Sequence, residues 1–197
     1  MITEKTMFTV KKQITLLVHN LTQMGYVFAD PQKIITPPHP ETKLMIAAIE
    51  QVCGTLPEAL KSFYEIVGGV NLIGSHSQWK GCEYPDPLFI YPIADVMSEF
   101  QQWQAGYAAN MADNIEEPFR IPIAPDFYHK ANVSGGMWYN VPLPNKASDP
   151  IIHDEPHQLS FIQYLQLCFK WGGFPGLANT PQHNWSIAQL IKNLQIF

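Results

Sequence analysis

The stretch from Thr55 to Gly69 constrains the fold more than any other part of the chain. Thr55 and Glu58 have the spacing of a capping box, in which the two side chains satisfy free backbone amides at a helix start. Apolar residues then recur at the spacing of one buried helix face. These residues are Leu56, Leu60, Phe63 and Val67. Gly68 and Gly69 end the pattern, because glycine readily takes the left-handed conformation that closes a helix. The sequence therefore predicts a capped helix that turns directly into a strand at Val70.

The residues before this junction predict two helices and a connector. Apolar positions from Met7 to Leu21 recur at helical spacing, and Gly25 ends the pattern. Asp30–Pro40 contains four prolines, which favours an extended connector. A second helix is expected over Glu41–Val52. Its inward-facing residues are expected to be Leu44, Ala47 and Ala48.

Strands and further helices are predicted in the rest of the chain. The strand candidates are Val70–Ile73, Leu88–Tyr91, Phe119–Ala124 and Met137–Val141. Pro122 marks the third of them as an edge strand, because proline cannot donate a hydrogen bond to a neighbouring strand. Helices are predicted after Asp95, acting as an N-cap, at Phe161–Phe169 and at Ser186–Leu194. This order favours an α+β fold with a central, antiparallel-rich mixed sheet flanked by helices over a doubly wound fold.

Length and composition favour one compact unit. A chain of 197 residues with 46% hydrophobic side chains can bury a substantial core. We divide it into residues 1–40, an extra N-terminal helix with its proline-rich connector, and residues 41–197, an α+β domain. The two parts are expected to pack together.

The charge and cysteine content disfavour several kinds of partner. The net charge is −5 and the 12 lysines and arginines are thinly spread, which disfavours nucleic-acid binding. The N-terminus lacks the basic and apolar regions of a signal peptide, and no apolar run approaches the roughly 20 residues that span a bilayer. Cys53, Cys82 and Cys168 form no C-x-x-C motif. We therefore expect a reduced, cytoplasmic protein without membrane contact.

The run from His153 to His157 offers donor groups for a metal ion. Two imidazoles and the carboxylates of Asp154 and Glu155 are donor types that zinc accepts. Pro156 prevents a regular helix through the run, so the histidines do not share a helix face. The alternative is a solvated loop that leads into the next helix, with Ser160 or a neighbour as its cap. We expect no metal here, although a metal-dependent hydrolase stays an alternative.

Asp126 and His129 suggest acid–base chemistry, because a carboxylate can orient an imidazole that titrates near neutrality. No serine or cysteine lies in a recognisable nucleophile motif. The alternative is that Asp126 holds a turn by accepting backbone N–H bonds. We predict no catalytic residue and no cofactor.

Aromatic residues in polar surroundings are candidates for contact with a protein partner, since such side chains are enriched at interfaces. Trp79, Tyr84 and Asp86 lie in one loop, and Trp138 and Asn140 alternate along a predicted strand. For Trp79 the alternative is packing against the core from a loop. These five residues are the predicted partner-binding set.

Several short motifs together resemble the SUKH superfamily, over roughly Thr55 to Gly176. The first half of the pattern consists of Leu56-Pro57, Phe63-Tyr64, Gly68-Gly69-Val70, Trp79 and Pro85-Asp86-Pro87-Leu88-Phe89-Ile90. The second half consists of Ile123-Ala124, Asp126, Ser134-Gly135-Gly136, Tyr139, Pro142, Asp149, Phe161 and Tyr164-Leu165. The chain departs from the simplest pattern by its N-terminal helix and by Trp171–Gly176.

The resemblance implies an α+β fold with a central sheet and a function in protein binding. Bacterial members of the superfamily are thought to be immunity proteins that neutralise toxins, and fungal relatives regulate cell-wall glucan synthesis. No catalytic residues are established for the superfamily, so the resemblance implies none here. On this basis we expect a non-catalytic binding module, with a toxin as the expected partner and a regulatory scaffold in cell-wall or polysaccharide synthesis as the alternative.

Overall fold

The computed structural model describes residues 2–79, 85–110, 118–179 and 187–195, and it has an α+β fold. The helices are α1 Ile2–Gln23, α2 Thr42–Cys53, α3 Glu58–Ile66, α4 Ile93–Asn110, α5 Phe127–Lys130, α6 Phe161–Lys170 and α7 Ile187–Leu190, with a 3₁₀ helix at Pro175–Asn179. The strands are β1 Val27–Phe28, β2 Ile35–Thr36, β3 Gly69–Asn71, β4 Gly74–Ser75, β5 Phe89–Ile90, β6 Arg120–Ala124 and β7 Tyr139–Pro142. The fold class predicted from the sequence is confirmed.

The strands form small antiparallel sheets. Strand β1 pairs with β4, β2 and β5 flank β3, and β6 pairs with β7. A hydrogen bond of 2.9 Å from the Tyr91 amide to the Ile123 carbonyl links the three-stranded sheet to β6. Among the described residues every strand pair is antiparallel, so the central sheet is divided and holds no parallel pair.

Helix α1 belongs to the same core as the rest of the fold. Its buried face has the predicted helical spacing, and α1 packs mainly on α3, with further contacts to α6 and α7. The buried residues of this face are Met7, Val10, Ile14, Leu17 and Leu21. The predicted first helix is therefore confirmed, and it ends before Gly25, which has a φ of +82°.

The predicted capping box at the start of α3 is wrong. Pro57 occupies the N-cap position, and no side chain caps the helix. Contacts from elsewhere in the fold bind backbone amides at the helix start instead. Glu50 Oε1 accepts a hydrogen bond from the Leu56 amide at 2.9 Å, and the Ser148 carbonyl accepts one from the Ala59 amide at 2.8 Å. The buried face of α3 is confirmed, since all four predicted residues are buried.

The predicted face of α2 is also wrong. Leu44 is 69% exposed and Ala47 is exposed, whereas Ile46 and Ile49 are buried. Apolar residues occupy every position from 44 to 49, so the spacing alone does not select a face.

Two helix starts show where local capping signals apply. Asp95 lies in the first turn of α4 and is not its N-cap, because the helix already begins at Ile93. Ser160 does cap α6, in a capping box with Gln163.

None of the helices within the described ranges has the length and apolarity needed to span a bilayer.

Candidate functional site

Of the four predicted partner-binding residues that the structure describes, the most exposed is Trp138, which directly precedes β7. Trp138 is 42% exposed and its neighbour Met137 is 62% exposed. Trp138 lines two adjoining cavities, of about 250 Å³ and 300 Å³, which also share Glu99. We call the two cavities together the Trp138 groove.

The two halves of the groove differ in chemistry. The half that we call the acidic pocket is lined by Tyr91, Asp95, Ser98, Glu99, Pro122 and Trp138. The half that we call the apolar pocket has mainly apolar walls that include Trp103, Phe119 and Met137, with Glu99, Gln102 and Arg120 also on its lining. Trp138 stands between the halves and contributes to both.

The groove forms because α4 lies across β6. The rings of Phe100 and Phe119 have centroids 5.4 Å apart, and Trp103 lies 5.4 Å from Phe119. These contacts hold α4 against the residues at the start of β6, and so determine which side of the helix faces away from the core. Asp95 and Glu99 are four positions apart, so they lie on the same face of the helix.

The acidic pocket has a negative potential. The pKa of Tyr91 is raised to about 12, first by burial of its hydroxyl and then by the carboxylates of Asp95, Glu99 and Asp126. Asp95 is exposed and Glu99 is half-buried. Neither carboxylate forms an ion pair or a hydrogen bond with any residue that the structure describes. Within the described part of the chain, the pocket therefore presents negative charge that no cationic side chain compensates.

Asn140 is a buried residue that links Trp138 to other parts of the fold by hydrogen bonds. It is 3% exposed, and its amide nitrogen donates to the Trp138 carbonyl at 2.8 Å and to Asp154 Oδ2 at 2.7 Å. Its amide oxygen accepts from Arg120 Nη1 at 3.2 Å. Asn140 thus holds the backbone of Trp138, and although it is almost fully buried it also lies on the lining of the apolar pocket.

Asp86 is part of a buried ion pair. It is 2% exposed, and its carboxylate accepts from Lys130 Nζ at 2.5 Å and from the Tyr139 hydroxyl at 3.2 Å. Lys130 Nζ also lies 4.7 Å from the centre of the Tyr139 ring and 3.5 Å from the Tyr164 hydroxyl. Burial, followed by the charge of Asp86, raises the pKa of Tyr139 above its usual value. A partner on the surface would not reach Asp86 in this arrangement.

Trp79 packs against the core from its loop. Its ring stacks on His76, with centroids 4.6 Å apart, and contacts Tyr26 and Phe174. Trp79 lines a separate cavity and does not border the Trp138 groove. Tyr84, the remaining predicted partner-binding residue, lies outside the described residues.

Asp126 has the structural role that the sequence left open. It is the N-cap of α5 and accepts from the amides of Tyr128 and His129 at 2.8 Å and 3.2 Å. Its second oxygen binds Nδ1 of the half-exposed His129 ring. Gly136 covers the carboxylate so closely that a Cβ at this position would lie 2.6 Å from Asp126 Cγ. The Ser134-Gly135-Gly136 motif is therefore the place where the chain passes over a capping aspartate.

The run from His153 to His157 forms an internally bonded turn. Glu155 is buried, and its carboxylate binds His157 Nδ1 at 2.6 Å and the His157 amide at 3.0 Å. This hydrogen bond is the main reason why the pKa of His157 is raised, against the opposing effect of burial. No group of three or more histidine, cysteine, aspartate or glutamate side chains is placed to hold a metal within the described ranges.

Sequence reasoning missed Tyr91, Asp95 and Glu99 as parts of the site. The spacing of Asp95 and Glu99 was a usable signal, since two carboxylates one helical turn apart repel each other and are not favoured without a reason. Tyr91 carried no such signal, because it ends a predicted buried strand.

No protein-family model, curated protein or solved structure matches the chain. The SUKH resemblance therefore stays a prediction that depends on its own motifs.

Several of these motif residues hold the fold together. Asp149 accepts from the Ser160 hydroxyl at 2.5 Å and from the Ile162 amide at 2.9 Å, and so supports the start of α6.

Proposed function

We propose that this chain is a non-catalytic protein-binding module and that the Trp138 groove is its interface. The observation that carries the proposal is the adjacent exposure of Met137 and Trp138 beside two cavities. Tryptophan and methionine are enriched at the centres of protein interfaces and depleted on ordinary surfaces. Exposed apolar side chains with a polar rim are typical of sites of protein association.

The resemblance to the SUKH superfamily supports a more specific role. An immunity protein that neutralises a toxin would need an interface of this kind and no catalytic residue. The net charge of −5 suits a basic partner, because complementary charge speeds association. A regulatory scaffold in cell-wall or polysaccharide synthesis would use the same groove and would differ only in the identity of its partner.

A metal-dependent hydrolase is less favoured. The carboxylate of Asp154 accepts a hydrogen bond from Asn140, and the ring of His157 binds Glu155 on one side and contacts Asn179 Nδ2 at 3.2 Å on the other. These internal contacts occupy groups that a metal ion would require.

The test is a comparison of partners captured by the wild-type chain and by Trp138→Ala. We expect a stoichiometric protein partner whose affinity falls at least tenfold in the variant, since truncating a central interface tryptophan typically costs about 2 kcal/mol or more. The matched control is Phe8→Ala, because Phe8 is 58% exposed on α1 and does not line the groove. A partner that binds Trp138→Ala as tightly as the wild-type chain would refute the groove as the interface.

A further inference from the structure

We propose that the acidic pocket receives a lysine or arginine side chain of the protein partner, while an apolar residue next to it in the partner occupies the apolar pocket. This inference rests on the proposed function of the Trp138 groove as an interface. It adds the chemistry of the partner: a segment in which a basic residue lies beside an apolar one.

The acidic pocket is complementary in charge to a basic side chain. Asp95 and Glu99 lie on one face of α4 and line the pocket, and neither has a cationic partner among the described residues. Two like charges one turn apart destabilise a helix slightly, and an inserted cation would remove that cost. Arg120, the described cation on the groove lining, belongs to the other half and binds Asn140.

The same pocket has an aromatic wall. Tyr91 and Trp138 both line it, and ammonium and guanidinium groups are attracted to the faces of such rings. The charges of Asp95, Glu99 and Asp126 also raise the pKa of Tyr91, after burial, so these carboxylates act on a ring that lines the pocket. Carboxylates together with aromatic faces suit an organic cation.

The size and donor set of the pocket argue against other occupants. Its volume of about 250 Å³ is below the roughly 300–1,000 Å³ usual for small-molecule sites. A calcium ion takes six to eight oxygen ligands, which two carboxylates do not supply. One long side chain, anchored by the apolar residue beside it, fits both the charge and the shape of the groove.

The experiment is selection of random displayed peptides on the full chain, followed by affinity measurement with purified peptides. We expect the peptides that need Trp138 to be enriched in lysine or arginine next to an apolar residue. Changing that basic residue of a selected peptide to glutamine should weaken binding at least tenfold, and so should the double variant Asp95→Asn/Glu99→Gln. Binding to the wild-type chain should weaken as salt is raised, and this dependence should shrink in the double variant.

The matched control is Glu41→Gln/Glu65→Gln, which removes the same charge from two exposed positions outside the groove. It should leave peptide affinity within twofold of the wild-type value. Circular dichroism and thermal melting test whether both double variants are folded. We expect both to fold, because Asp95 is exposed and the substitutions are nearly isosteric.

The outcomes separate this inference from the proposed function. Peptides that require Trp138 but show no basic enrichment, and bind Asp95→Asn/Glu99→Gln normally, would overturn the inference and leave the interface standing. A selection that yields no Trp138-dependent peptide would overturn both. Self-association in sedimentation velocity that disappears in Trp138→Ala would identify a second copy of the chain as the occupant, against the inference.

Discussion

At the scale of single residues, the buried pair of Asp86 and Lys130 is the most consequential feature. Both side chains are almost fully buried, and the carboxylate is further satisfied by the Tyr139 hydroxyl. A buried ion pair contributes little net stability, but the loss of one partner leaves an uncompensated charge in a medium of low polarity. The sequence motif around Asp86 is therefore explained by the fold, without contact to a partner.

This arrangement predicts an asymmetric response to mutation. Lys130→Met should lower the free energy of unfolding by about 3–5 kcal/mol, because it leaves the Asp86 carboxylate unpaired. The double variant Asp86→Asn/Lys130→Met should be clearly more stable than Lys130→Met, since neither charge then remains. Urea unfolding followed by circular dichroism measures both.

The control for this pair is Lys12→Met, at an exposed position on α1, which should change stability by less than about 0.5 kcal/mol. Additive effects of the Asp86 and Lys130 substitutions would show that the two side chains do not interact as described.

At the scale of elements, the junction between α3 and β3 depends on close backbone approach. Gly68 has a φ of +98°, and a Cβ there would lie 2.1 Å from the Thr36 carbonyl oxygen. The connector between α1 and α2 thus crosses directly over the helix exit, where β2 pairs with β3. A glycine is required at this position for its conformation and for space.

Gly68→Ala is therefore expected to destabilise the protein by clearly more than 1 kcal/mol, since the left-handed conformation and the contact with the backbone of Thr36 both oppose a side chain. The control is Gly106→Ala in α4, where nothing lies within 4 Å of the added Cβ. That substitution should leave stability unchanged or raise it by about 0.4–1 kcal/mol. Thermal melting of both variants measures the two effects. Equal stability of the two variants would contradict the close approach at Gly68.

At the scale of the whole molecule, one core joins the N-terminal helix to the α+β part. Buried residues of α1, α3, α6 and the strands form a single hydrophobic cluster. The groove lies at the edge of this cluster, where α4 crosses β6 and β7 begins. Its apolar pocket shares Phe119 with the core, and Trp103 of the same lining packs against the core.

The stability of the whole molecule should depend on pH through His157. Its hydrogen bond to Glu155 raises the pKa of the imidazole in the folded state above the ordinary value of 6.5. The contribution of the protonated ring to stability is therefore fully present below pH 6.5 and is lost as the pH rises through the folded-state pKa.

His157→Gln should remove this part of the pH dependence, so the stability difference between wild type and variant should narrow from pH 5.5 towards pH 9. Unfolding free energies across that range measure it, and NMR titration of the His157 ring gives the folded-state pKa. A folded-state pKa at or below 6.5 would contradict the expectation.

Much of the fold follows from the sequence, because local spacing decides which residues can share a face. The helix from Met7 to Leu21 and the buried face of α3 were predicted in this way and are confirmed. For α6 the sequence offered Ser160 or a neighbour as the cap, and in the structure the cap is Ser160. The predicted face of α2 was wrong, because apolar residues line both of its sides and only packing selects between them. The capping box at Thr55 was wrong for a similar reason, since contacts from elsewhere in the fold hold the start of α3: Glu50 accepts from the amide of Leu56, and Ser148 from that of Ala59.

For the candidate site, less could be predicted from the sequence and more depended on the tertiary structure. The sequence alone identified Trp138 as a side chain that could face a partner, since aromatic residues in an alternating strand carry that signal. Only the tertiary structure decided that Asp86 and Asn140 are buried, with Asn140 still on the lining of the apolar pocket, and that Asp95 and Glu99 lie beside Trp138. The physical reason is that periodicity acts along one element, whereas the groove exists only where α4 is packed across β6 and brings distant residues together.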